Sequence, residues 1–454
     1  MARARQEELW RPARDVPFLV LCMAVALSML RSTDQPSIEL ALAGTELSLV
    51  PADLALAALG ALAAVNLLGR GALPRPARQI TLAAAAFAGW LLLSSVFNGA
   101  DAVVGAVKFL EFGLLALGVV LFVRRRIQLW LLAGVLVALT VAAVAYALVG
   151  FVERPGQRQP SFLGEHDFAA LATMSLTLAL ASLYVRERRY GRLALVAGVA
   201  GALGVVLAAA LAGLLGLYLA IAALVGLAGL RGTVTRRALA VTALTAVAVT
   251  AGSLSLRSGD LGFLNQWFAA EENAAPGRYA AGWSQRLVYS YVGGRIFLDN
   301  PVLGTGWHGE LPPSEFARYL PDARRRFPDQ PPTYFPRPDR DFIPQQTYDQ
   351  VLYELGLVGA LLFLVLAAVT VRTVVGVARR WPRAGPDESL AFLSAAWVTS
   401  LTGALAGAAL FGGIPLAAIF WLTLGVAALL PSLVPPEPAR RAPAERRELA
   451  ATAP

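Results

Sequence analysis

Long apolar runs recur along this chain, and short arginine clusters separate them. The runs lie at 16–30, 48–68, 80–97, 103–123, 127–151, 166–185, 192–210, 213–230, 238–255, 347–371, 389–410 and 413–431. A helix rising about 1.5 Å per residue needs about 20 apolar residues to cross a bilayer. The runs do not alternate with period two, which excludes barrel strands, and helices are the other structure that satisfies its own backbone in lipid. The pattern predicts an all-α polytopic membrane protein of about twelve transmembrane helices. Val16 to Leu30 is short and follows a basic N-terminus, as a signal peptide would. No clear small-residue cleavage site follows it, so it reads as the first span.

The arginine clusters test the count, because cytoplasmic connections collect Arg and Lys. With the N-terminus in the cytoplasm, clusters fall on every second connection. They are Arg3 to Arg14, Arg70 to Arg78, Arg124 to Arg126, Arg186 to Arg192, Arg231 to Arg237, Arg372 to Arg383 and Arg440 to Arg447. The short connections on the other side carry only Arg31, Arg154 and Arg158. Dropping any one span breaks the alternation downstream. The expected layout is a cytoplasmic N-terminus (1–15), nine spans (16–255), one large extracytoplasmic loop (256–346), three spans (347–431) and a disordered cytoplasmic tail (432–454). Dominance of Arg over Lys points to a bacterial source, hence a multi-pass protein of the inner or plasma membrane.

The loop is the chain's one long polar stretch. From Arg257 to Gln345 it holds ten Arg, ten Asp or Glu, no Lys, and many Trp, Tyr, Phe and Pro. If the protein performs chemistry, this segment is expected to cap the site. Its Pro- and aromatic-rich part, Pro328 to Phe342, resists regular helix and reads as loop packing or as a sugar-binding groove.

Composition agrees with a membrane protein: 57% of residues are hydrophobic, 15% are charged and mean hydropathy is +0.60. The net charge of +9 sits in the orienting clusters, so nucleic acid is not an expected partner. One cysteine, Cys22, and two histidines leave no metal site built from Cys or His. No cofactor is expected.

Polar residues within the spans are the next signal, because charge in lipid is costly and faces protein or water. Lys108 and Glu111 stand three apart on one helix face, either at the interface or lining a cavity under the loop. The entry to the tenth span reads PQQTYDQVLYELGLVG, Pro344 to Gly359. Gln345, Asp349 and Tyr353 fall on one face, and Gln346, Gln350 and Glu354 on the next.

Two segments and the layout together resemble the O-antigen ligase and O-antigen polymerase superfamily. These are membrane glycosyltransferases acting on undecaprenyl-diphosphate-linked glycans. The segment SQRLVYSYVGGRIFLDNPVLGTGW, Ser284 to Trp307, is similar to the family's arginine, aromatic-rich helix and Gly-x-Gly turn. Pro344 to Gly356 is similar to its Pro-His-Asn-x-Tyr-Leu-x-x-Leu-x-Glu-x-Gly, with Tyr348, Leu352, Glu354 and Gly356 matching. The resemblance implies a lipid-linked oligosaccharide donor, a glycan or lipid acceptor, and metal-independent inverting transfer. It implies Arg286 as the ligand of the donor diphosphate, since guanidinium forks match phosphate oxygens.

Departures are as informative. The motif histidine, which would activate the acceptor hydroxyl, is Gln345, and an amide is no general base at neutral pH. The family's second arginine, at the short turn between spans seven and eight, is also missing. That region reads LAAALAGLLG, Leu207 to Gly216. Replacement bases in the sequence are Asp349, His308 and His166. Replacement cations are Arg295, Arg154 and Arg158. Arg324 to Arg326 read as a solvated or headgroup-facing patch. Two further readings stay open: a non-catalytic relative that binds lipid-linked glycan, and a secondary transporter.

Overall fold

The computed structural model describes residues 15–30, 35–42, 45–70, 78–186, 190–257, 278–308, 312–341, 344, 346–383, 385–410 and 414–434. Gln345, most of the N-terminal segment and nearly all of the tail lie outside the described residues.

The chain folds as a helical bundle. In order, the principal elements are α1 (Val16–Ser28), a hairpin of β1 (Ile38–Leu42) and β2 (Thr45–Leu49), α2 (Pro51–Arg70), α3 (Arg78–Phe97), α4 (Ala100–Glu111), α5 (Gly113–Phe122), α6 (Arg126–Glu153), α7 (Glu165–Leu183), α8 (Gly191–Ala208), α9 (Leu211–Arg231) and α10 (Arg236–Ser255). The loop follows with α11 (Arg278–Asp299), α12 (Pro313–Phe316) and α13 (Leu320–Arg326). Three helices close the bundle: α14 (Thr347–Arg380), α15 (Glu388–Leu405) and α16 (Ile414–Leu429). Ten helices among the described residues are long and apolar enough to cross a membrane, which makes this a multi-pass membrane protein. The joined pair α4 and α5 counts as one of these. Of the other bundle helices, α1 has only 13 residues, and α15 is enclosed by its neighbours over nearly its whole length.

Helices in lipid gain little from apolar contact alone, so small residues bring their axes close. Helix α8 lies on α7 this way. A side chain at Gly201 would meet the backbone of Ala172 and Leu176 at 2.5–2.8 Å. Helices α9 and α15 approach through Gly216, Gly403 and Ser400. At the arginine-rich end, Arg231 of α9 and Glu388 of α15 form a buried ion pair. The same guanidinium donates to the carbonyls of Ala378 and Trp381, at 2.5 and 2.9 Å, and so ties α9 to the end of α14.

The feature that positions the loop is a break inside α14. Gly356 has φ 65° and ψ −171°, a backbone region open to glycine and almost closed to other residues. Carbonyls released by the break need donors, because lipid offers none. The loop segment after α11 supplies them. Thr305 N–H donates to Tyr353 O at 3.1 Å and Gly306 N–H to Glu354 O at 2.8 Å, while Leu357 N–H donates back to Pro301 O at 2.8 Å. The Trp90 indole of α3 donates to Leu355 O at 2.9 Å. Ser94 Oγ donates to Leu303 O at 2.6 Å, and Trp307 N–H donates to Ser95 Oγ at 3.1 Å. Positive φ at Gly304 and Gly306 lets the segment fold this tightly. The two sequence segments that carry the family resemblance are thus the two halves of one joint.

Candidate functional site

The joint fixes α11 against the first turns of α14. Ser290 Oγ donates to Asp349 Oδ2 at 2.6 Å. One turn on, Gly293 makes room for the Tyr353 ring, which a Cβ would meet at 2.9 Å. Arg286 precedes Ser290 by four residues, so its Cβ stands about 6 Å away on the same face. Arg286 is half-buried at the loop end of the bundle.

Two further arginines reach the same place from other parts of the chain. The connection between α6 and α7 folds down on the α8–α9 turn, with Gln159 N–H donating to Leu207 O at 2.8 Å. That contact holds Arg158, which pairs with Glu165 at 2.7 Å in the first turn of α7. Arg257, just past α10, donates to Ala209 O at 3.0 Å in the same α8–α9 turn. All three guanidinium groups, those of Arg286, Arg158 and Arg257, act electrostatically on His166, the second residue of α7. The Nδ1 atom of His166 is buried and has no hydrogen-bond partner among the described residues.

Three arginines reach this end of the bundle from three separated segments, and Glu165 pairs with Arg158. Helices α7 and α9 begin beside them without side-chain caps, so uncapped N-terminal amides and the positive helix ends add to the field. The guanidinium fork matches phosphate and carboxylate oxygens alike. Among the described residues, no three His, Cys, Asp or Glu side chains group as a metal site.

The other residues singled out in the sequence fall in several places. Asp349 is half-buried, one helical turn from Arg286 through Ser290, and belongs to the site. His308 turns away: its Nε2 lies 2.8 Å from Thr305 O and 3.7 Å from Glu315, and its side chain is 8% exposed. It holds the Gly-Thr-Gly turn; burial in that contact raises the Glu315 carboxyl above its usual range. Arg295 pairs instead with Asp322 at 3.4 Å, on the side of α11 that faces α13. Arg154 is exposed, and its carbonyl accepts from Gln159 at 3.4 Å.

Lys108 and Glu111 form a separate cluster. Lys108 Nζ lies 3.6 Å from Glu111, so the pair expected within one helix is present in α4, and it also lies 2.8 Å from Asp53, which bridges α4 to α2. Glu354 lines no cavity: it is fully enclosed, accepts from Gln350 at 3.2 Å, and its backbone carbonyl serves the joint. Tyr348 donates to Thr402 O at 3.1 Å and borders an apolar cleft between α14, α15 and α16 with Phe363, Leu401 and Phe420.

Sequence reasoning missed Arg257. The signal that could have found it is its place immediately after an apolar run on the loop side, where positive charge is not needed for orientation. No known protein family model matches the chain, and no curated protein is significantly similar to it.

Proposed function

We propose that this protein is a membrane glycosyltransferase that transfers or polymerises glycan from an undecaprenyl-diphosphate-linked donor, in the manner of O-antigen ligases and polymerases. In this reading all twelve bundle spans cross the inner membrane of a bacterium, counting α4 and α5 as one. Both termini are cytoplasmic, and the loop end faces outward.

The observation that carries the reading is that Arg158 and Arg257 are held on the α8–α9 turn from two separate connections, at the loop end of the bundle, where α11 also presents Arg286 one turn before the Ser290–Asp349 bond. In the transfer, the acceptor hydroxyl oxygen bonds to the anomeric carbon while the bond from that carbon to the diphosphate oxygen breaks. The electron pair leaves with the diphosphate, and the hydroxyl proton passes to a base. Fixed guanidinium groups aimed at the leaving group stabilise charge that develops in the transition state. Arg257, at the α8–α9 turn, stands where the family's second arginine is expected, although it comes from a different part of the chain. Asp349, one turn from Arg286, and His166 are the two groups placed to take the proton.

The test is a deletion strain complemented with variants, with surface glycan and lipid-linked precursor both quantified. Arg286→Ala is expected to abolish product and accumulate precursor at normal protein level. Unchanged product would end the transferase reading. A specific observation favours one second reading: the motif position for the base is an amide, and His308 is committed to Thr305 and Glu315. If Asp349→Asn and His166→Ala both leave product intact while Arg286→Ala removes donor binding, the protein is a non-catalytic binder of lipid-linked glycan.

A further inference from the structure

A cavity lies at the opposite end of the bundle from the arginine cluster under the loop. It measures about 490 Å³ and opens between the start of α3 and the end of α14, beside Pro431. Arg78 and Gln79 line it from α3; Arg372, Arg379 and Arg380 line it from α14. Among the described residues, no Asp or Glu lines it.

Orientation of spans accounts for the presence of arginines at this end, since that rule counts charges per connection. It does not account for their meeting around a cavity from two helices that are remote in sequence. Four like charges sharing one open space repel one another, and a bound anion relieves that repulsion. Arg380 Nε donates to Gly376 O at 3.1 Å, which directs one of the four along the cavity wall.

The surfaces leading into the cavity identify the kind of anion. On α14, Leu361, Val365, Ala368 and Arg372 fall on one face at helical spacing, and all four are exposed. On α3, Arg78, Leu82, Ala86 and Leu93 do the same, with Leu82 58% exposed. The two helices pack side by side and run in opposite directions. Two apolar, lipid-facing stripes therefore end in the same basic cavity. A soluble anion would use the cavity and leave the stripes unexplained; a lipid uses both, its acyl chains on the stripes and its phosphates among the arginines.

We propose that this cavity binds the headgroup of an anionic phospholipid, and that its size and four arginines select a headgroup with two phosphates over one with a single phosphate. The proposal is independent of the reading of the loop end.

The experiment uses full-length protein purified in detergent, probed by native mass spectrometry and thermal shift. Added probes are diphosphatidylglycerol, phosphatidylglycerol, phosphatidylcholine and inorganic pyrophosphate. Retained diphosphatidylglycerol adducts and a thermal shift with that lipid are expected, a smaller effect with phosphatidylglycerol, and none with phosphatidylcholine. Arg372→Gln with Arg379→Gln should weaken the diphosphatidylglycerol effect on the order of ten- to thirty-fold. Arg324→Gln with Arg325→Gln, on the loop, should leave it unchanged. Should the α14 pair fold poorly, Arg78→Gln on α3 alone tests the same site by the same readouts. Equal retention of phosphatidylcholine overturns the proposal, as does undiminished binding in the folded variants. Stabilisation by pyrophosphate equal to that by the lipid overturns it in favour of a soluble-anion site.

Discussion

Replacing Gly356 by alanine attacks the joint between loop and bundle at its tightest point. A Cβ there would overlap the carbonyl of Val302 and lie 2.9 Å from Gly304 N. Both are backbone atoms, which cannot rotate away as a side chain would. The conformation at Gly356 is one that alanine adopts at a cost of about 1–3 kcal/mol. Relieving the overlap moves the loop segment and weakens the bonds from Thr305, Gly306 and Leu357. Each contributes about 0.5–1.5 kcal/mol net, and more where water cannot replace the lost partner. The combined loss is about 3–6 kcal/mol, of the order that separates tolerated from severe substitutions. The assay is apparent melting of the purified protein in detergent, followed by tryptophan fluorescence. Gly89→Ala is the control, a helical glycine with nothing within 4 Å of the added atom. Gly356→Ala should melt several degrees below both wild type and control, and amide exchange at Thr305, Gly306 and Leu357 should rise. Equal melting of the two variants, with exchange unchanged, would refute the claim that this joint holds the loop in place.

Three further outcomes follow from the same geometry. Arg257→Ala should lose glycan product as Arg286→Ala does, whereas Arg295→Ala, whose guanidinium is held by Asp322, should retain most of it; glycan blots of complemented strains read both. Glu388→Gln leaves the Arg231 guanidinium buried without its carboxylate and should cost about 3–5 kcal/mol, seen as lower yield and melting, while Arg231→Met with Glu388→Leu should recover much of the loss. In the loop, the Tyr291 hydroxyl donates to Asp322 at 2.7 Å and holds its carboxyl below the usual range. That contribution is present above the ordinary Asp value, near 4, and is lost as pH falls through the lowered one. Acid should therefore loosen α11 from α13, as read by protease cutting of the loop, and Tyr291→Phe should move the onset to higher pH.

Most of the bundle was legible because lipid simplifies the code. Span positions read from apolar runs match the helices closely at most ends. The exception is instructive: the run read as ending at 371 continues as helix to Arg380, because Arg372 and Arg379 project from a helix that is already leaving the hydrocarbon layer. The hairpin was not read, and it departs from the all-α expectation: Ile38–Leu42 holds one polar residue, Glu39, and Thr45–Leu49 opens on two, so the alternation that marks a strand is weak there. What no local reading could supply is pairing at a distance. Arg257 reaches a carbonyl 48 residues earlier, and nothing in either segment alone announces it. Motif resemblance singled out Arg286, the search for a replacement base added Asp349, and these same two readings also named Glu354 and His308. Those two sit in the joint, where they are needed for shape. A motif marks that residues matter together without distinguishing contact with substrate from contact with the chain.

The joint also bears on how large substrates come and go. The stretch from Pro301 to Trp307 is bonded to α14 at three backbone amides and to α3 through Ser94 and Ser95. Lifting it would strip hydrogen bonds in a setting without water, so this half of the loop is a fixed wall. In the transferase proposed above, long-chain reactants would then arrive and depart sideways, through gaps between helices. Turnover in that case is governed by diffusion in the plane of the bilayer, and a stiffer membrane slows it while a more viscous solvent does not.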